Sequence, residues 1–358
     1  MVVLLGYDQD PVRWRERHAA GETLDETPYG YELAREWCDV QWAQSQRESA
    51  LVTRIRRRIA AKLGYDLVHA WRNRRLIREA DIVWTHTERE HLAVAALPLR
   101  RRPAVIAQSV WLWDEWPEYS ERRRRRVARL LRRHSAEITL SPVNAALSAA
   151  SVPGRRVAFV PFGTRTAVGP DDSPAADDTD RPTVFAPGND VHRDWALLCA
   201  VAEKLPQVAF RVATRRAAAL GLPWPSNVDA RPSTVAELRE LYAASSAVAV
   251  PLRANAHASG ITVCIEALDA GKPLVVSRVG GIEAYVEGCA HLAAESDVTA
   301  FAAAIVAAVS ERSPSSDVVR ERGLTQEDYV RRFVRLTRAL LDDEWDDAVT
   351  ALAAVPRP

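Results

Sequence analysis

The sequence predicts an α/β protein of two units, each a mostly parallel sheet with helices on both faces. Three observations carry this: the chain length, the alternation of short β-branched runs with helix-length segments, and one break in composition near the middle. The chain has 358 residues with 47% hydrophobic content, enough for two cores of moderate size.

The runs come in a regular order. "VVLL" (2–5), "DVQWA" (39–43), "DIVWT" (81–85), "AVIA" (104–107), "EITL" (137–140) and "VAFV" (157–160) read as strands of the first unit. "TVFA" (183–186), "VAFRVA" (208–213), "AVAV" (247–250) and "PLVV" (273–276) read as strands of the second. Helix-length segments separate most of them, the pattern of parallel strands joined by crossovers. Helix starts are marked locally. Ser141-Pro142 sets a capping hydroxyl before a proline at the first helical position. Thr87 with Glu90 and Thr234 with Glu237 have capping-box spacing. After Thr234, Val235, Leu238, Leu241 and Tyr242 fall on one apolar face.

The break is "TAVGPDDSPAADDTDRP" (166–182), rich in Asp, Pro and Ala. That is a linker composition, and without a packed strand to fix its carboxylates an acidic solvated linker is a better reading than a magnesium site. The expected organisation is a first domain over 1–165, a linker over 166–182 and a second domain over 183–326. Over 327–358, two helix-like stretches pack back against one or both domains.

Net charge is +1, but residues 1–170 hold 29 Lys and Arg against 20 Asp and Glu, and the remainder 19 against 27. The halves therefore carry +9 and −8, a polarity that draws two domains together within the Debye length, roughly 8–10 Å. Four scattered cysteines (38, 199, 264 and 289) form no Cys-x-x-Cys pair, which suggests reduced thiols in a cytoplasmic protein and no zinc site. The apolar runs are broken before the roughly 18 residues of a membrane span, and "MVVLLGYDQDPVRW" reads as a first strand, not a signal peptide. "ERRRRRVARLLRRH" (121–134) gives a helix with Val127, Leu130 and Leu131 on one side. It reads as a solvated face over an apolar stripe, or as a surface for peripheral contact with anionic lipid at the inner face of a membrane. No reader module accompanies the arginines, so nucleic acid is not an expected partner.

The segment "HASGITVCIEALDAGKPLVVSRVGGIEAYV" (257–286) poses the sharpest question. Ser259 and Gly260 suit the start of a helix, and Gly271 with Pro273 suits its end, so 261–270 is a short helix that is apolar nearly all round. Its amino end offers unpaired N–H groups and a partial positive charge to a phosphate, with Gly260 letting the backbone approach. Glu266 sits inside this buried helix and needs donors. A ribose diol would supply them; an arginine such as Arg193 or Arg278 would serve equally.

This segment resembles the donor-site signature of the GT-B glycosyltransferases, specifically the retaining glycogen-synthase-like family (family 4, group 1), in its Gly260, the Glu266-Ala267 pair six and seven residues on, Gly271-Lys272-Pro273 before a valine strand, and the Gly280-Gly281 loop. "VAFVPFGT" (157–164), "TVFAPGNDVHRDWALLCAVAEKLP" (183–206) and "TVAELRELYAASSAVAVPLRANAHASG" (234–260) resemble further parts of that pattern in the expected order. The resemblance implies a GT-B fold of two facing Rossmann-like domains with a cleft between them. It implies a donor such as a UDP-sugar, no obligatory metal or other cofactor, and an acceptor that is a small molecule, a glycan or a lipid-linked group. Carried over, Glu266 would hold the ribose, Ser259, Gly260, Ile261 and Thr262 would lie at the diphosphate and sugar, and Arg193 would replace the family's phosphate-binding lysine. Gly188 and Asn189 would face the same site. The family usually has a glutamate eight residues before the ribose-binding one, where this chain has Ala258. That departure touches sugar recognition and stereochemistry, and it leaves open a non-catalytic nucleotide-sugar-binding partner of a transferase, or an epimerase or hydrolase of the same fold.

Three further positions are candidates for catalysis. His86 ends a parallel strand, where a side chain meets a cleft, or else it caps the following helix. Asp114 lies in "QSVWLWDEWPEY" (108–119), where three tryptophans offer a stacking platform or simple packing. His257 flanks the donor helix.

Overall fold

The computed structural model describes residues 1–166, 181–311 and 314–352. Most of the expected linker over 166–182, residues 167–180, lies outside the described residues. Two compact units are present among the described residues: Met1–Ala20, Asp25–Val160 and 326–352 form the first, and Gly21–Leu24 with the described part of 161–325 the second.

In the first unit, β1 (Val2–Leu4), β2 (Gln41–Trp42), β3 (Ile82–Thr85), β4 (Ala104–Ser109), β5 (Ala136–Thr139) and β6 (Val157–Phe159) form one sheet in the order β2-β1-β3-β4-β5-β6. Every neighbouring pair is parallel. Its central strands are buried, β3 and β5 throughout and β4 from Val105 on, as crossover helices on both faces require. The capping box at Thr87 and Glu90 is formed, and Ser141 caps the helix Pro142–Ser151. The helix Gln326–Leu341 belongs to this unit. Trp84 Nε1 donates to Thr337 Oγ1 at 2.8 Å, and the Tyr31 and Tyr329 hydroxyls lie 3.3 Å apart.

The second unit pairs β7 (Thr183–Pro187), β8 (Ala209–Ala213), β9 (Val228–Arg231), β10 (Ala247–Val250), β11 (Leu274–Ser277) and β12 (His291–Ala293) in the order β12-β11-β10-β7-β8-β9. All pairings are again parallel. Counted from β7, this is the 3-2-1-4-5-6 order of a dinucleotide-binding sheet. Its core gathers Val184, Leu198, Phe210, Ala249, Val275 and Phe301, all essentially inaccessible to water. The order reverses between β7 and β10, so loops leaving their carboxyl ends part and open a crevice there.

Among the described residues no helix is long and apolar enough to cross a membrane.

Candidate functional site

The second unit's switch point is built from the loops after β7 and β10. Arg193 and Leu252 form an antiparallel bridge, Arg253 N donates to His192 O at 2.8 Å, and Asp194 N to Pro251 O at 2.9 Å. This stitching fixes the turn 188–194 beside the loop 251–260. Asp194 then caps the helix Trp195–Lys204, its carboxylate accepting from Leu197 N.

Arg193 occupies the centre. Only 2% of its surface is exposed, yet its Nε and Nη1 have no hydrogen-bond partner. Burial lowers its pKa from the usual value, opposed by Cys264, Asp190, Tyr242 and Glu266. A guanidinium stays protonated despite such a shift, so the site holds a buried cation with unspent donors. Two glycines frame it. A Cβ at Gly188 would land on Arg193 Nε. At Gly260, with φ of 89°, a Cβ would lie 2.6 Å from Arg193 Nη1 and 2.8 Å from Val250 Cγ1. Both positions must lack a side chain for the guanidinium to sit where it does.

Gly260 is also the N-cap of the helix Ile261–Asp269 and supplies no side-chain cap. Ser259, 2% exposed, keeps a buried hydroxyl without a partner, while its N–H donates to Asn255 Oδ1 at 3.0 Å. Ile261 is buried and Thr262 exposed in the first turn. Ala258 is buried with φ of 51°. The loop Gly280–Gly281 packs closely there, since a Cβ at Gly280 would meet Asn255 Oδ1 at 2.5 Å and Ala258 N at 3.0 Å.

Glu266 lies on the same helix, partly buried, and accepts from the Tyr242 hydroxyl at 2.7 Å. Burial pushes its carboxyl up to about 7, against the lowering pull of Tyr242 and of the Arg193 charge. The described ion pairs join it to neither Arg193 nor Arg278, so Tyr242 is the partner that sequence reasoning did not identify. Tyr242 appeared there only as part of an apolar face. Its own pKa is driven well above 10.0 by burial and then by Glu266.

A second group that sequence reasoning missed is Asp190 with His192. Asp190 Oδ1 lies 3.1 Å from His192 Nδ1, and Asp190 Oδ2 lies 3.4 Å from His257 Nε2. Burial would raise the Asp190 pKa, but hydrogen bonds from His192 and His257 and the His257 charge outweigh it and hold the carboxyl well below its usual range. One ligand atom from each of the three residues lies within 4.8 Å of the others, a spacing that a cation could also use. The signal was present in "GNDVH": two side chains with polar tips just past a buried strand. Asn189 is exposed and its Oδ1 accepts from Arg215 N at 2.7 Å, so that atom holds the β7 and β8 loops together.

The first-unit candidates lie in a different setting. His86 does not cap the next helix; Thr87 does. Its Nδ1 is 2.9 Å from the Tyr31 hydroxyl, its ring stacks on Tyr29 at 3.6 Å, and Gln108 Nε2 donates to its carbonyl at 2.8 Å. Burial lowers its pKa to about 3, so the imidazole is neutral. Asp114 is half-buried in the short helix Leu112–Glu115. Of the two readings of the tryptophans, packing holds for Trp113 and Trp116: Trp113 is in the core, its Nε1 donating to the buried Glu137 at 2.9 Å, and Trp116 leans on it with ring centroids 5.0 Å apart. Of the three, only Trp111 is exposed.

Residues 196–311 match the family described as Glycosyl transferases group 1. Among solved structures, sucrose-phosphate synthase from Thermosynechococcus elongatus is 16% identical with a TM-score of 0.70, the match covering 96% of this chain and 99% of that one. Anabaena HepE in complex with UDP and glucose is 14% identical, with a TM-score of 0.56 and 99% of both chains covered. An α,α-trehalose-phosphate synthase (UDP-forming) from Burkholderia vietnamiensis is 14% identical, with a TM-score of 0.53 and coverage of 96% and 83%. No protein of curated function matches the sequence. The chain therefore has the GT-B fold, two parallel six-stranded sheets with helices, and residues 196–311 of its second unit match the group 1 glycosyltransferase family.

Proposed function

We propose that this protein moves a sugar from a nucleoside-diphosphate sugar, a UDP-sugar by preference, to an acceptor hydroxyl with retention, as in family 4. The observation that carries the reading is Arg193: a buried guanidinium with two unspent nitrogens, held by glycines beside the uncapped amino end of Ile261–Asp269. An unpaired buried cation is costly unless an anion completes it, and a diphosphate meets guanidinium, helix N–H groups and the Ser259 hydroxyl together. Glu266 accepts the ribose hydroxyls. HepE, which shares the fold, was solved with UDP-glucose.

In the transfer, charge grows on the departing diphosphate. Arg193, the helix terminus and Ser259 stabilise it without moving, which is electrostatic preorganisation. With front-face attack the departing phosphate takes the acceptor's proton, so no side chain need be a strong base. The neutral His86 and the half-buried Asp114 are not required to ionise for this step. His257 stands beside Ser259, oriented by Asp190, to contact the sugar or diphosphate.

The test is a screen of thermal stabilisation by UDP, GDP, dTDP and ADP and then their sugars, followed by calorimetry on Glu266→Ala. The expected result is preference for UDP and a loss of about 1.5–3 kcal/mol, roughly 10- to 150-fold in affinity. Unchanged affinity in the folded variant removes Glu266 from the site. A second reading rests on Ala258, which stands where the family's further glutamate is expected: a chain that binds the nucleotide sugar yet turns over with no acceptor is a non-catalytic partner, and one that releases sugar without any acceptor is a hydrolase.

A further inference from the structure

The helix Ala50–Leu63 of the first unit is pinned from one side. Arg56, 6% exposed, pairs with Glu48 at 3.0 Å and Asp66 at 2.5 Å, and its guanidinium lies 3.6 Å from the centre of the Tyr7 ring. That anchor fixes which face looks outward. On the outward face Leu51 is 66% exposed, Val52 37%, Ile55 49% and Ile59 37%. Leu51, Ile55 and Ile59 are spaced by four, so they form one stripe along the helix. Beside the stripe stand Arg54, Arg57, Arg58 and Lys62, all exposed, and none takes part in a described ion pair. The helix contains no acidic residue.

A soluble surface scatters its apolar side chains singly; a continuous aliphatic stripe edged by unpaired cations is the pattern of a helix lying in a lipid–water interface. The arginine-rich helix Glu121–Leu131, for which a lipid surface was one of two sequence readings, is differently built. Val127, Leu130 and Leu131 are buried in the core. Arg124 donates to the Trp116 and Pro117 carbonyls, Arg126 to the Tyr65 hydroxyl, and Arg123 covers the Tyr119 ring at 3.5 Å.

We propose that the outward face of Ala50–Leu63 docks on the surface of an anionic bilayer, its aliphatic stripe entering the headgroup boundary and its cations meeting lipid phosphates. Charge complementarity selects this occupant, because four cations without a neighbouring acid repel a second copy of the same face and attract a negative leaflet. The inference is independent of the transfer reaction and its readout needs no activity.

The experiment is flotation of the full chain with phosphatidylglycerol–phosphatidylcholine vesicles and with phosphatidylcholine alone. The expected result is binding to the anionic vesicles only, weakened by salt. Leu51→Ser with Ile55→Ser lowers partition at least about tenfold, and Arg54→Gln with Arg58→Gln about fivefold for each cation. Arg122→Gln with Arg125→Gln, on the other helix, changes it less than about twofold. All these side chains are exposed, and melting curves matching the parent confirm folding; should the serine pair fail to fold, the glutamine pair reads the same surface. Absence of flotation overturns the proposal, as does equal flotation of every variant. Sedimentation showing that the parent self-associates through this stripe, and the serine pair does not, overturns it in favour of a dimer interface.

Discussion

The Tyr242 hydroxyl donates to Glu266 Oε2 at 2.7 Å, and this bond lets a carboxyl group persist inside an apolar helix. With that carboxyl raised to about 7 by burial, the folded chain holds a proton that the unfolded chain releases near pH 4.5. Its contribution to stability is therefore full below the unfolded value and is lost as pH rises through about 7. Glu266→Gln keeps an acceptor for Tyr242 and removes the titration. The variant is expected to be more stable than the parent at pH 8, by up to about 3 kcal/mol, and equal to it near pH 4.5. Denaturation at both pH values checks this, and a constant difference would contradict it.

Arg193 carries opposite consequences for stability and binding. Arg193→Met retains much of the bulk without a buried charge, so the ligand-free protein is expected to melt no lower than the parent. UDP affinity falls by roughly 10- to 100-fold. Gly188→Ala leaves the charge in place but drives a methyl group into the guanidinium, and is expected to weaken nucleotide binding while the cation remains. Calorimetry on both variants separates loss of charge from its displacement; normal UDP affinity in either would take Arg193 out of the site.

Chelation tests the triad of Asp190, His192 and His257. His192 already hydrogen-bonds Asp190 Oδ1 through its backbone N–H and Nδ1, and His257 Nε2 lies 3.4 Å from Oδ2, while Arg193 with the helix terminus supplies the positive charge. Nucleotide binding and turnover are expected to persist in EDTA within about twofold. Loss restored by a divalent cation, and abolished in Asp190→Asn, would make the three residues metal ligands instead.

His86 is expected not to titrate between pH 5 and 8 in proton NMR spectra. Burial holds its pKa near 3, so stability present above about 6.5 is lost as pH falls toward 3, because only the unfolded chain takes up the proton. A midpoint near 6.5 in the folded protein would return it to the acid–base candidates.

Much of this was readable from residue order, and the exceptions share a physical cause. Most strands found in advance, such as β1, β3, β7, β10 and β11, are buried throughout and read as continuous apolar runs; the edge strands β2 and β6 were found from their β-branched or aromatic residues despite partial exposure. The two missed, β9 and β12, are sheet edges with half-exposed residues, so neither shows an unbroken run. The two capping boxes announce themselves because capping is local chemistry, and the helix Ile261–Asp269 because Gly260 and Gly271 mark its ends. Glu266 was conspicuous as a charge among apolar neighbours, but Tyr242, from another helix, comes to it only through tertiary packing. Asp190 and His257 are 67 positions apart in the chain, and no local pattern announces that they meet. The first unit closes at Val160, five residues before the expected boundary, because the turn at 161–164 bridges to Thr325 in the second.

Order of synthesis follows from the helix Gln326–Leu341. The first unit is completed by residues that leave the ribosome after the whole of the second, for Trp84, Tyr31 and Gln108 receive Thr337 and Tyr329 only then. The second unit, nearly contiguous in sequence, has its strands in hand earlier. Nascent chains halted before residue 326 should therefore present a finished second unit and an amino-terminal unit with an open aromatic wound, the state in which chaperones would find it.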